Sequence, residues 1–281
     1  MSTAPMQNGP SIAEEEFKEE LLVRPYDYLG NITEKNTRTM LTESFNYWLA
    51  GSEEDSRVID EATEMMCQAC QLIDDIEVEV ENHKESPVAH RIYGIPNTLN
   101  SANYIYFLAL SKIVSTNHTV GPHVFAKHVQ QIHRGQGMDI QWRRTGICPT
   151  EEEYKEMILR KTGGLLGFTM RSLQLFSDNI SDYSAIVETL SLLLDIRDDY
   201  ACIQKKINDM TSNCEDISAG RYSFPIIHGI KNSPDNEILR ILYEKVLIVF
   251  TIALVISGLE TGGICYDSMQ TSEWYVYEPQ H

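Results

Sequence analysis

From Val58 onward the apolar positions Val58, Ile59, Ala62, Met65, Met66, Ala69, Leu72 and Ile73 recur at spacings of three and four. That is the stripe of an α-helix burying one face. Residues 100–114, 151–160 and 184–203 carry the same pattern, and no convincing run alternates with period two. Helices without strands are therefore predicted. Gly94-Ile95-Pro96, Gly121-Pro122, Cys148-Pro149 and Ser233-Pro234 mark the breaks between them. Thr150 followed by Glu151, Glu152 and Glu153 predicts a helix start with a capping box and an acidic first turn. With no internal repeat and no low-complexity linker, the pattern predicts one all-α domain.

The two ends read differently. Residues 1–20 are acidic and lack an apolar core, which predicts a flexible tail rather than a signal or transit peptide. Near the other end, Val246 to Ile256 is an apolar run of 11 residues. A bilayer span needs about 20. A buried core helix is expected there, not a stable membrane anchor. Residues 233–281 as a whole form a divergent C-terminal segment after a main domain at 21–232.

Composition narrows the function. The 281 residues hold 23 Lys and Arg against 41 Asp and Glu, a net charge of −18. Binding to nucleic acid needs a basic face that releases counterions, so that class is excluded. A polybasic membrane-surface role is excluded on the same ground. Six cysteines are too few for a disulfide scaffold in a chain of this length. A cytoplasmic setting is expected. Cys67 and Cys70 have metal-ligand spacing, but no second pair follows at finger spacing.

Two acidic clusters interrupt apolar helices: Asp74-Asp75-Ile76-Glu77 after Leu72-Ile73, and Asp195-Ile196-Arg197-Asp198-Asp199 after Leu192-Leu193-Leu194. Carboxylates on solvated faces would be unremarkable. Here the flanks are apolar nearly all round, and unpaired carboxylates are costly to bury. Facing each other across a helical bundle, such oxygen-rich groups suit Mg²⁺, which keeps waters and bridges to phosphates. Cations suited to a phosphate are present: Lys35 and Arg38 three apart, Lys161 beside Thr162 and two glycines, and Arg221 after Gly220.

The chain resembles eukaryotic geranylgeranyl diphosphate synthases of the trans-isoprenyl diphosphate synthase family. The resemblance rests on Arg24-Pro-Tyr-Asp-Tyr28, Leu72-Ile-Asp-Asp-Ile-Glu77, Pro87-Val-Ala-His90, Tyr93-Gly-Ile-Pro96, Gly135-Gln-Gly-Met-Asp139, Lys161-Thr-Gly-Gly164, Ile196-Arg-Asp-Asp-Tyr200 and Arg221-Tyr-Ser-Phe-Pro225. It implies an isoprenoid-synthase helical bundle with a central cavity and an atypical C-terminus, and a homo-oligomer. It also implies Mg²⁺ held by Asp74, Asp75, Asp198 and Asp199, which with Lys161 would be catalytic. An allylic prenyl diphosphate would be met by Gln136, Lys161, Thr162 and Arg221, and isopentenyl diphosphate by Lys35, Arg38 and Lys84.

The departures from the family pattern concern both substrates. Val78 stands where the first motif carries its last Asp, and Cys202 where the second carries Asp or Asn. Asp195 replaces the customary Gln three positions before Asp198, on the same helix face, and is a candidate replacement metal ligand. At the isopentenyl diphosphate site, Cys67 replaces a His, His83 and Lys84 replace two Arg, and Glu85 replaces Gly. Neutral His and Cys lack the fork of guanidinium donors. With the ionising machinery better kept than the nucleophile's site, the sequence points first to a terpene synthase acting on, for example, geranyl diphosphate. A geranylgeranyl diphosphate synthase is the alternative. An inactive partner subunit of an active synthase is a third.

Overall fold

The computed structural model describes residues 12–33, 36–83, 86–208 and 220–232, with the side chains of 12–18, 36–38 and 205–208 excepted. Helices follow one another as α1 (Ile12–Ile32), α2 (Asn36–Leu49), α3 (Glu53–Glu77), α4 (Ala89–Tyr93), α5 (Ile95–Ser115), α6 (Gly121–Thr145), α7 (Glu151–Gln174), α8 (Ser184–Asn208) and α9 (Phe224–Asn232). Among the described residues the only strands are β1 (Asn82–His83) and β2 (Ser86–Pro87), antiparallel, with Asn82 opposite Pro87 and His83 opposite Ser86. The all-α fold class is as predicted.

The predicted stripe is the buried face of α3: Ile59, Ala62, Met66, Ala69 and Leu72 are at most 1% exposed. Ser52 caps this helix by accepting from the Asp55 amide at 3.0 Å, above an acidic first turn. The predicted capping box of α7 is present in both halves. The Glu153 amide donates to Thr150 Oγ1 at 3.2 Å, and the Thr150 amide donates to Glu153 Oε2 at 2.8 Å. Gly121-Pro122, expected as a break, opens α6, where a proline in the first turn costs no intrahelical hydrogen bond.

Two expectations need correction. Helix α1 begins at Ile12, so residues 12–20 of the expected flexible tail are helical. The run from Ile12 to Leu22 contains no Gly or Pro and is rich in good helix formers. The second concerns strands, since the β1–β2 ladder was not foreseen. Two-residue strands are too short to show a period. The Val246–Ile256 run and the rest of 233–281 lie outside the described residues.

Helix α7 is the central element, packed against α6, α3, α2 and α8. Its approach to α6 depends on glycine. A Cβ on Gly164 would lie 2.7 Å from Ile132 Cγ1, and one on Gly135 would lie 2.9 Å from the Met157 carbonyl oxygen. Across α3 and α7 the buried hydroxyls of Thr63 and Thr169 are paired at 3.1 Å. The main core gathers Phe45, Met66, Leu72, Ile105, Phe168 and Leu173. A smaller one joins Tyr154, Met157 and Ile158 of α7 to Tyr222, Ile226 and Ile227. That second core brings α9, and Arg221 before it, back onto α7.

Candidate active site

Side chains from α6, α7 and the segment before α9 converge on Asp74, at the end of α3. Gln136 of α6 donates to its Oδ1 at 2.6 Å, and Arg221 Nη2 donates to Oδ2 at 2.6 Å. Lys161 Nζ of α7 lies 3.7 Å from Oδ1. Burial alone would raise this carboxyl's pKa, but the charges of Lys161 and Arg221 and the hydrogen bonds from Gln136 and Arg221 hold it at about 2. Asp74 is thus a firmly ionised group.

A second carboxylate completes the cluster. Asp139, 4% exposed, lies 3.8 Å from both Lys161 Nζ and Arg221 Nε and 3.4 Å from Arg143 Nη2. The amide of Gln136 also donates to Glu77 Oε2 at 2.7 Å. Asp139, Arg143 and Glu77 were not among the expected site residues. Their signal was present: Gln136, Asp139 and Arg143 stand at positions i, i+3 and i+7 and share one helix face. Glu77 is turned to the same amide that Asp74 uses, so in this chain the two act on one donor.

Asp75 faces elsewhere. It is 1% exposed, accepts from Gln71 Nε2 at 2.7 Å, and lies 2.8 Å from His83 Nε2. The second motif is dispersed. Asp198 is exposed and pairs with Arg197 at 2.7 Å. Asp199 accepts from the Tyr154 hydroxyl at 2.6 Å and the Phe224 amide at 2.7 Å, tying α8 to α7 and α9. Burial raises its pKa against those two hydrogen bonds. Asp195 is pushed up to about 6 by burial, opposed by a hydrogen bond with Thr162 and the charge of Lys161. Its Oδ2 is buried without a hydrogen-bond partner.

Among the predicted site residues, the structure therefore groups Asp74, Gln136, Lys161 and Arg221, then Asp75 with His83, then Asp195 with Thr162. Cys67 is half-buried and forms no disulfide. Its neighbour Cys70 has its pKa pushed up to about 12 by burial, against a 2.9 Å hydrogen bond with the Tyr106 hydroxyl. Cys202 is disulfide-bonded. Lys35, Lys84 and the side chain of Arg38 lie outside the described residues.

Among the described residues, no three acidic, histidine or cysteine side chains stand arranged to hold a metal ion. The donor chemistry nevertheless fits a hard cation. The available groups are carboxylate oxygens, and the unpartnered Oδ2 of Asp195 is a buried acceptor in need of a partner.

A sequence model of the polyprenyl synthetase family matches residues 19–247. The chain belongs to the polyprenyl synthetase family. The match runs past residue 232, where resemblance was expected to end. A terpene synthase of Matsumurasca onukii is 39% identical over 230 residues, 81% of this chain and 76% of its own. A geranylgeranyl pyrophosphate synthase of Dictyostelium discoideum is 42% identical over 226 residues, 80% of this chain and 75% of its own. One of Aspergillus flavus is 40% identical over 230 residues, covering 81% and 68%. Among the described residues, no helix of the chain is long and apolar enough to cross a membrane.

Proposed function

We propose that this chain is a prenyltransferase that joins isopentenyl diphosphate to an allylic prenyl diphosphate, in the manner of a geranylgeranyl diphosphate synthase. This reverses the order in which the sequence alone ranked prenyl transfer and terpene synthesis. The observation that carries it is the cluster of Lys161, Arg221 and Gln136 around Asp74. Relatives named geranylgeranyl pyrophosphate synthase at 40–42% identity support it.

In this cluster Asp74 and Asp139 hold the cations in place before any ligand arrives. Arg221 can offer a phosphate its planar fork, and Lys161 a compact point charge. As the allylic carbon–oxygen bond breaks, negative charge grows on the departing diphosphate, and groups already aimed at it need no reorganisation. Asp74 and Asp195 are the residues that would hold Mg²⁺, with the exposed Asp198 three positions after Asp195. Bound there, the ion would add neutralising charge to the diphosphate. A cytoplasmic location and self-association belong to the same proposal, and fractionation and sedimentation test them.

One observation favours the second reading, a terpene synthase. His83, expected at the isopentenyl diphosphate site, is engaged with Asp75 rather than turned outward. The assay that separates the two uses the full chain with Mg²⁺. Geranyl and farnesyl diphosphates are supplied alone and with isopentenyl diphosphate. A longer prenyl diphosphate formed only from paired substrates is expected. Volatile terpene from a single allylic substrate overturns prenyl transfer in favour of the second reading.

A further inference from the structure

Asp75 is more enclosed than any other acidic residue described, and both of its oxygens are occupied. Gln71, one turn earlier on α3, donates to Oδ1 at 2.7 Å, and His83 Nε2 lies 2.8 Å from Oδ2. These three line one small cavity together with Asp74, Val78, Val80 and Arg221. Asp75 therefore stands beside the Asp74–Arg221 pair without joining it. The ladder that carries His83 is itself anchored. Asn82 is paired with Pro87, the Tyr28 hydroxyl donates to the Pro87 carbonyl at 2.7 Å, and the Val88 amide donates to the Glu81 carbonyl at 3.1 Å.

We propose that Gln71 and His83 are positioning residues that hold the Asp75 carboxylate away from Lys161 and Arg221, keeping those cations available to an incoming diphosphate. This rests on the prenyl-transfer reading above. Arg221 already shares its charge with Asp74 and lies within 3.8 Å of Asp139. A carboxylate released into the same cavity competes for that guanidinium and sets negative charge against the anion. Gln71 supplies a neutral donor one turn away on the same helix, and His83 reaches in from the ladder on the opposite side. Neither needs to touch substrate to act.

The experiment titrates inorganic diphosphate in Mg²⁺ into the full chain and follows the heat of binding. Gln71→Met keeps the side chain's bulk and removes its donor. It is expected to weaken binding about tenfold, the low end for partners that orient a site carboxylate. In an Asp75→Asn background there is no charge to misplace, so Gln71→Met should add nothing, a double-mutant cycle that a merely structural role would leave additive. His83→Gln keeps a donor for Oδ2 and should bind more tightly than His83→Phe, which has none. Unchanged affinity in Gln71→Met, equal losses in both backgrounds, or equal affinities of the two His83 variants overturn the inference. A parent chain that binds no diphosphate overturns the functional reading itself, and this inference with it. Normal parent binding with an indifferent Gln71→Met overturns this inference alone.

Discussion

Arg221 donates to the Asp74 carboxylate at 2.6 Å although 147 positions separate them in the chain. The bond joins the end of α3 to the segment entering α9, and it exists because Tyr222, Ile226 and Ile227 pack onto α7 in the smaller core. Packing of apolar groups thus delivers a cation to the first acidic motif. The same pair makes Arg221 the most informative single position in the cluster.

Arg221→Ala is expected to lower kcat/KM for the allylic diphosphate by on the order of a hundredfold, the scale for losing one preorganised donor to developing charge. Arg221→Lys should restore only part of this, because an ammonium cannot reproduce the guanidinium fork. Steady-state kinetics on the three proteins check it.

Asp74→Asn should destabilise the fold at neutral pH by about 2 kcal/mol, since its carboxyl is held at about 2 against an ordinary 3.8. A depressed pKa means that the charged form stabilises the native state. The contribution is present in full above the ordinary value and fades as pH falls through the folded one. The gap between the two proteins in urea melts should therefore hold from neutral pH down to the ordinary carboxyl value and close only as pH falls to about 2 and below.

Asp195 has the opposite sign. Its pKa is raised to about 6, so the native state prefers the proton, and its ionisation costs stability as pH rises from about 4 through 6. Asp195→Asn should accordingly stabilise the metal-free chain above pH 6 by on the order of 1 kcal/mol, with the gain vanishing below pH 4. Melting curves in the presence of a chelator measure it. If Asp195 holds Mg²⁺ in the loaded enzyme, the same variant should lose activity while gaining stability.

Gly135→Ala tests the spacing of α6 and α7. The added Cβ would meet the Met157 carbonyl oxygen at 2.9 Å and Lys161 Cγ at 2.8 Å. Backbone cannot rotate aside, so the helices must part, at a cost of about 1–3 kcal/mol. Because Gln136 and Lys161 sit at this contact, kcat should fall along with the melting temperature. Calorimetry and kinetics on one preparation check both.

The helices around residues 58–73, 100–114, 151–160 and 184–203 were legible because a stripe at spacing three and four is a local consequence of helix geometry. The capping box at Thr150 and Glu153 was legible for the same reason, both partners lying within one turn. The site was legible only as a set of residue types. Asp74, Lys161 and Arg221 stood out in sequence, but Asp139 did not, since an acid on an amphipathic helix ordinarily faces water. Gln71 had no visible role until its amide was seen on Asp75.

What the sequence determined by itself was the helical class, the inventory of carboxylates and cations, and the motifs that mark a polyprenyl synthetase. These depend on short-range spacing and on residue identity. Which carboxylate meets which partner was decided only in three dimensions. Asp74 and Asp75 are adjacent in the chain, yet successive positions on a helix point about 100° apart. One therefore faces Lys161 and Arg221 while the other faces His83. Asp198 and Asp199 part in the same way, one to Arg197 at the surface and one to Tyr154 inside. The physical reason is that ionic and hydrogen-bond partners are set by where distant helices pack, and packing is a property of the whole core.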